Sequence, residues 1–238
     1  MDVGYRDLLK EATRLKKEKK YDEACQTLRV AFQSADVSEY IDIHERLRLP
    51  VYLCFANRDD EAWFELNRLS STYQDSISQI AIRSKMQKFL EDEGKLIDAA
   101  FFLAWVYILE LKHKIDLIVN IHAAADKWAN EESMIVEMKD GGFASLDFRK
   151  INDGREPFAF TNAGNPIYDV AHNHMLASLN RRLTVEVIED EFLDVCCKID
   201  RLDLPPAIAD KILEIVGSDD YSKEWVSDLH NFFREQLD

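Results

Sequence analysis

Three alanines, Ala24, Ala62 and Ala99, lie 38 and 37 residues apart and share one context. In each case a short polar break leads to an acidic residue, then the alanine, then an apolar stretch with helical spacing. The first reads KKEKKYDEACQTLRVAF. The second has Asn57-Arg58-Asp59 at the break and Asp60-Glu61-Ala62 after it, and the third has Gly94 at the break and Asp98-Ala99-Ala100 after it. A unit recurring at such a period is one supersecondary motif. Alone it leaves an apolar face bare, so neighbours must stack to cover it. Only 7 glycines and 5 prolines occur in 238 residues, and so few breakers favour long helices over many short strands.

Spacing within the first unit sets its geometry. Tyr5, Leu8, Leu9, Ala12 and Leu15 recur at intervals of three and four, as on one face of a helix over 5–18. Tyr21, Ala24, Leu28, Ala31 and Phe32 do the same over 21–35. The polar residues between leave room only for a tight turn, so the two helices pack antiparallel. Ala12, Ala24 and Ala31 let the backbones approach, and Tyr21 plugs the base of the hairpin. RLRLPVYLCFANRDDEAWFELNRL and SKMQKFLEDEGKLIDAAFFLAWVYIL repeat the design. Pro50 falls inside the second unit. The apolar rhythm Leu47, Val51, Cys54, Phe55 runs through it, which predicts one helix bent at the proline rather than a new helix starting there.

These units resemble the tetratricopeptide repeat family. Ala12, Tyr21, Ala24, Leu28 and Ala31 fall where that family places its small and large packing residues. The second and third units depart from the pattern: Pro50 and Gln87 stand where the family has a small residue, as do Leu69 and Val106 later in the unit. The resemblance spans residues 5–110. It implies an all-α chain that opens with antiparallel helical hairpins wound into an α-α superhelix, the first helix of each hairpin lining a groove. The groove residues it implies are Arg6, Lys10 and Lys17 from the first unit, His44, Leu47, Arg48, Val51 and Phe55 from the second, and Lys85 and Lys88 from the third. Cations beside Leu47, Val51 and Phe55 suit a peptide or helix bearing acidic and apolar side chains. The Lys/Asn set with which some family members grip a peptide's terminal carboxylate has no match here.

The pattern changes after Lys112. KIDLIVNIHAAADKWANEE is still helical, but Gly141, Gly142, Gly154, Pro157, Gly164 and Pro166 crowd the stretch that follows. Within it IVEM-KDGG-FASLDF reads either as a short β-hairpin, since Asp-Gly favours positive-φ turns, or as an ordered loop. Helical candidates resume at about 167–183, 184–199, 206–216 and 222–236, punctuated by Pro205-Pro206 and Gly217. The expected organisation is a helical repeat region over 1–133, an irregular or β-hairpin connection over 134–166, and an acidic helical region over 167–238.

The net charge of −15 argues against binding a phosphate backbone or an anionic membrane surface. Charge is unevenly spread: residues 1–35 carry eight Lys/Arg against six Asp/Glu, whereas residues 186–238 carry five against fifteen. Packing of the acidic end against the basic first hairpin, within one copy or between two copies as a homodimer, is one expectation. Cys25 and Cys54 fall in apolar rhythms and Cys196 is adjacent to Cys197; the four read as reduced thiols of a cytoplasmic protein. MDVGYRDLLKEA has no apolar core of the kind a secretion signal needs. The apolar run AAFFLAWVYIL is half the length of a membrane span, about 20 residues.

Motifs for chemistry are sparse. No GxSxG, P-loop or GxGxxG occurs. His122 and Asp126 lie one helical turn apart, as do Asp169 and His172, with His174 close by; were they to meet, they would form a His/carboxylate metal set. The function expected is a non-catalytic protein-interaction module, an adaptor or scaffold, with no catalytic residue and no metal or cofactor assigned. A metal-dependent enzyme using those His/Asp ligands, and an acidic inhibitor that mimics nucleic acid, are the two alternatives.

Overall fold

The computed structural model describes residues 4–34, 41–130, 159–160, 166–167, 178–218 and 224–237, with backbone alone for 119–130, 159–160, 166–167 and 237. The described chain is overwhelmingly helical. Its helices are α1 (Tyr5–Lys17), α2 (Tyr21–Ser34), α3 (Ile43–Arg46), α4 (Arg48–Phe55), α5 (Asp59–Thr72), α6 (Ser76–Asp92), α7 (Leu96–Asn130), α8 (Val185–Lys198), α9 (Leu204–Gly217) and α10 (Glu224–Leu237). Two pairs of residues, Ala159–Phe160 and Pro166–Ile167, form a minimal antiparallel ladder, β1 and β2. The stretch 135–148, read above as a hairpin or loop, lies outside the described residues. By packing the chain divides into two units, Met1–Leu109 with His230–Asp238, and Glu110–Leu229.

In the first unit the chain reverses three times in the same way. Lys19, Asn57 and Gly94 each take a left-handed φ, of 61°, 57° and 74°. Around each the hydrogen bonds repeat. The amides of Lys20, Arg58 and Lys95 donate back to the carbonyls of Leu15, Leu53 and Leu90 at 3.0, 2.9 and 2.8 Å. The amides of Lys19, Asn57 and Gly94 donate to Lys16, Cys54 and Glu91. This is the Schellman closure, which satisfies carbonyls a helix end would otherwise leave orphaned. The next helix then begins identically, with Ala24, Ala62 and Ala99 donating to Lys20, Arg58 and Lys95, all at 3.0 Å. All three alanines are buried to 1% exposure or less, so each hairpin crosses on a methyl group.

Stacking follows the chain. α2 packs on α4 and α5 on α6, so each hairpin lies against the next. The shared core holds Leu9, Leu15, Leu28, Leu47, Leu53, Leu66, Leu69, Ile82, Met86 and Phe89. Tyr21 does sit at the base of the first hairpin, its ring 5.4 Å from that of Phe55. The end of α10 belongs to the same unit: Phe101 of α7 meets the rings of His230 and Phe233 edge-on at 5.5 and 6.0 Å.

Pro50 corrects one expectation. The helix is interrupted rather than bent: α3 ends at Arg46, Leu47 stands between, and α4 starts at Arg48 with Pro50 in its first turn. A proline there gives up no intrahelical bond, whereas inside one continuous helix it would remove the bond to Arg46. Leu47 stays right-handed (φ −65°, ψ −11°), and the bond from the Val51 amide to its carbonyl is stretched to 3.5 Å. The rhythm survived in the sequence because the interruption keeps the helical phase.

In the second unit α8 and α9 form a further hairpin, closed by the same turn. Asp200 has φ 58°, and the Arg201 amide donates to the Cys196 carbonyl at 2.9 Å. Ile188, Phe192, Val195, Cys196, Ile208, Ala209 and Ile212 fill its core. Glu110 of α7 pairs with Arg182 at 2.5 Å, and Lys114 donates to the Ser178 hydroxyl at 3.3 Å.

Candidate functional site

The residues implied as groove-lining separate into three groups. Arg6, Lys10, Lys17, His44 and Lys88 are exposed. Lys10 pairs with Asp7, and Lys88 with Glu91 and Asp92, within one helix turn. Such exposed pairs contribute little and yield easily to a partner. Phe55 is 45% exposed, with the Lys16 ammonium 5.1 Å above its ring. Lys85 and Val51 are half-buried, and Val51 packs on the core.

Leu47 and Arg48 are committed to the fold. Leu47 is in the core at 2% exposure and offers no surface. Arg48 donates to the Leu9 carbonyl at 2.9 Å, the Thr13 hydroxyl at 2.7 Å and the Glu45 carboxylate at 2.6 Å. Its guanidinium therefore ties α4 to α1. The resemblance implied that both residues line the first-helix face, but a resemblance does not say how deep a neighbouring helix buries them.

Two other arginines form an arrangement that the sequence reading passed over. Arg46 and Arg83 each stand eleven residues ahead of the left-handed residue of their hairpin, Asn57 and Gly94. They are thus the same position in successive units; in the first unit it is Leu8. Each reaches the second helix of the hairpin before it. The Arg46 guanidinium lies 5.7 Å from the Phe32 ring and 5.4 Å from the Tyr73 ring. The Arg83 guanidinium lies 4.1 Å from Trp105 and 5.8 Å from Phe102, and donates to the Ser70 hydroxyl at 2.8 Å and to Met86 Sδ at 3.3 Å. Phe32 and Ser70, the residues they meet on the preceding hairpin, are each thirteen past its turn residue.

Hydrogen bonds link the two. Gln79 Nε2 donates to the carbonyls of Tyr73 at 2.5 Å and Ser70 at 2.8 Å, bracing the end of α5 between the arginines. Neither guanidinium meets a carboxylate among the described residues, and each has a buried Nε with no acceptor. Arg14, Arg29, Arg48, Arg58 and Arg68 of the same unit all hold acids, and Arg6, which holds none, is exposed, so Arg46 and Arg83 are the partly buried arginines of this unit without one among the described residues. Aromatic faces attract the cations, but leave the in-plane N–H donors unspent. Burial lowers the pKa of Arg83 from its ordinary value, which lies so high that the group stays charged.

No metal set occurs among the described residues. The side chains of His122 and Asp126, and the whole of Asp169, His172 and His174, lie outside them. All four cysteines are free. Burial, opposed by Arg58, pushes the Cys25 thiol up to about 11, and burial with a hydrogen bond to Asp59 pushes Cys54 up to about 12. Neither is a nucleophile at neutral pH. None of the described helices is long and apolar enough to cross a membrane. Comparison of the chain with protein-family models, curated proteins and solved structures finds no match.

Proposed function

We propose that the chain is a non-catalytic protein-binding module, an adaptor or scaffold whose first helices present one face to a peptide or helix of a partner protein. The observation that carries this reading is the recurrence of one turn, with one hydrogen-bond pattern, at Lys19, Asn57 and Gly94. Hairpins closed alike and crossing on the equivalent Ala24, Ala62 and Ala99 keep their phase, so equivalent positions of α1, α3–α4 and α6 fall on one side. The tetratricopeptide-like winding of these hairpins into a superhelix is part of the proposal. So is a cytoplasmic setting, which four free thiols suit. Arg6, Lys10, Lys17 and Lys88 are exposed cations, His44 is exposed beside them in the proposed set, and Phe55 under the Lys16 ammonium is an exposed apolar spot, a combination suited to an acidic and partly apolar segment.

The test is affinity capture from native lysate with the intact chain and with a variant carrying Lys10→Glu, Lys17→Glu and His44→Glu, all exposed positions. Circular dichroism checks that the variant folds. A protein held by the intact chain and lost by the variant supports the reading. Retention by both places binding elsewhere, and capture of nothing contradicts an adaptor. A self-associated form, acidic end against basic first hairpin, is read in the same experiment from the oligomeric state, and salt weakens it.

A further inference from the structure

We propose that Arg46 and Arg83 are two equivalent oxyanion seats, one on each of two successive hairpins, that receive the oxyanion side chains, carboxylate or phosphorylated, of a partner protein's segment. The seats themselves stand on geometry; that a partner protein brings the anions rests on the adaptor reading above.

Four observations converge. The two arginines hold the same position of consecutive hairpins, so their spacing is fixed by the stack. Aromatic rings flank each guanidinium: Phe32 and Tyr73 beside Arg46, Phe102 and Trp105 beside Arg83. A cation held in this way has already lost its rotamer freedom and pays little to bind. The donors are unspent. Arg46 uses none of its N–H groups in a hydrogen bond and Arg83 bonds only the neutral Ser70 and Met86; the Nε–H of each is buried, so the Nη N–H groups are the donors that meet the anion. Finally, no carboxylate among the described residues neutralises either one.

The chemistry that completes such a group is a planar or tetrahedral oxyanion gripped by two parallel N–H donors. A carboxylate or phosphate group supplies it, and both reach the site on a protein segment, as an acidic or a phosphorylated side chain. A nucleic acid brings the same phosphate as a long polyanion, which the net charge of −15 repels. A single side-chain charge, bound at short range against half-buried guanidinium groups, meets far less opposition.

The test uses the full chain and side-chain NMR of the arginine Nε–Hε groups. Sodium acetate and inorganic phosphate are titrated separately, with sodium chloride holding ionic strength constant. The expected result is a saturating shift at Arg46 and Arg83, with Arg14 and Arg68, already paired to glutamates, drifting only linearly. Saturation by acetate alone assigns the seats to acidic side chains, by phosphate alone to phosphorylated ones, and by both to either. Arg46→Gln is expected to abolish its own signal and leave the apparent affinity at Arg83 within about twofold, because separate seats do not share a ligand. Linear drift at all four arginines overturns the proposal. The wild-type titration decides even where a variant fails to fold. Saturation in a chain that captures no protein would leave the seats standing and remove the adaptor. A captured partner without saturation would do the reverse.

Discussion

Lys19 and Asn57 hold a backbone conformation that glycine holds at Gly94. A Cβ in the left-handed region costs roughly 1–2 kcal/mol, less for asparagine, whose short polar side chain tolerates it. Lys19→Gly should therefore raise stability by about 1 kcal/mol in urea denaturation, despite glycine's looser unfolded state. Gly94→Ala should lower it by about 1 kcal/mol. A Cβ at Gly94 would meet nothing within 4 Å, so that loss would be backbone strain alone. An unchanged midpoint for both would mean the turns are not left-handed. The buried thiols make a second residue-scale prediction. Cys25 and Cys54 have pKa values raised from 9.0 to about 11 and about 12, so their contribution is complete below pH 9 and is lost as pH rises toward those values, because the unfolded chain releases the protons first. Stability should fall above pH 9, and Cys25→Ser with Cys54→Ser should flatten that fall. In the native state Cys197, exposed, should react with iodoacetamide long before buried Cys25. Equal rates would contradict this core.

Each hairpin depends on a few contacts between elements. Arg48 ties α4 to the Leu9 carbonyl and Thr13 hydroxyl of α1. Arg48→Ala should cost about 1–3 kcal/mol, chiefly because the partners are left half-buried without a donor. Arg48→Lys should recover little, since one ammonium does not span Leu9, Thr13 and Glu45 as the fork does. Full recovery would show that charge alone mattered. The α6 cap is simpler: the Asp75 carboxylate accepts from the Ser78 amide at 2.9 Å, which holds its pKa below the ordinary value. Asp75→Ala should cost about 1 kcal/mol at pH 7, and the difference should vanish as pH falls and the carboxyl takes up its proton.

Elements were also the scale at which the sequence spoke most clearly. Periodicity placed α1, α2, α8, α9 and α10 within about two residues, and the start of α5 within one, because each helix buries one face. It missed the interruption before Pro50, where the phase is kept. It read both stretches of α7 as helical without joining them into one 35-residue helix, although the composition shift at Lys112 brings no glycine or proline with it. The end of α8 near 199 was legible, but the left-handed turn at Asp200 was not, because aspartate marks a positive φ far less clearly than glycine does. Exposure is what a resemblance cannot report: Leu47 and Arg48 stand at the implied groove positions but are committed to the fold. Arg46 and Arg83 did leave a signal, the 37-residue step between them that matches the step between turns, but a charged residue in a packing position is visible only once the rings around it are known.

At the scale of the whole molecule, charge is the dominant feature. Residues 186–238 carry fifteen acids against five bases, and on α8 Glu186, Asp190 and Asp194 follow one another at four-residue steps, with only Asp194 paired, to Lys198. Like charges at that spacing repel. Raising sodium chloride from about 20 mM to about 500 mM should therefore raise the melting temperature, because screening relieves more repulsion than it removes attraction from the exposed pairs. A falling melting temperature would mean the ion pairs around Arg14 and Arg58 outweigh the acidic surface. The wider account, a shared face and two matched arginines, requires that the hairpins of the first unit be copies of one another. Backbone NMR with amide hydrogen exchange tests this most directly. The account predicts left-handed carbon shifts at Lys19, Asn57 and Gly94, together with protected amides at Lys20, Arg58 and Lys95. A helical or extended shift, or rapid exchange, at any one of the three turns would break the equivalence of the hairpins and remove the face they are proposed to share.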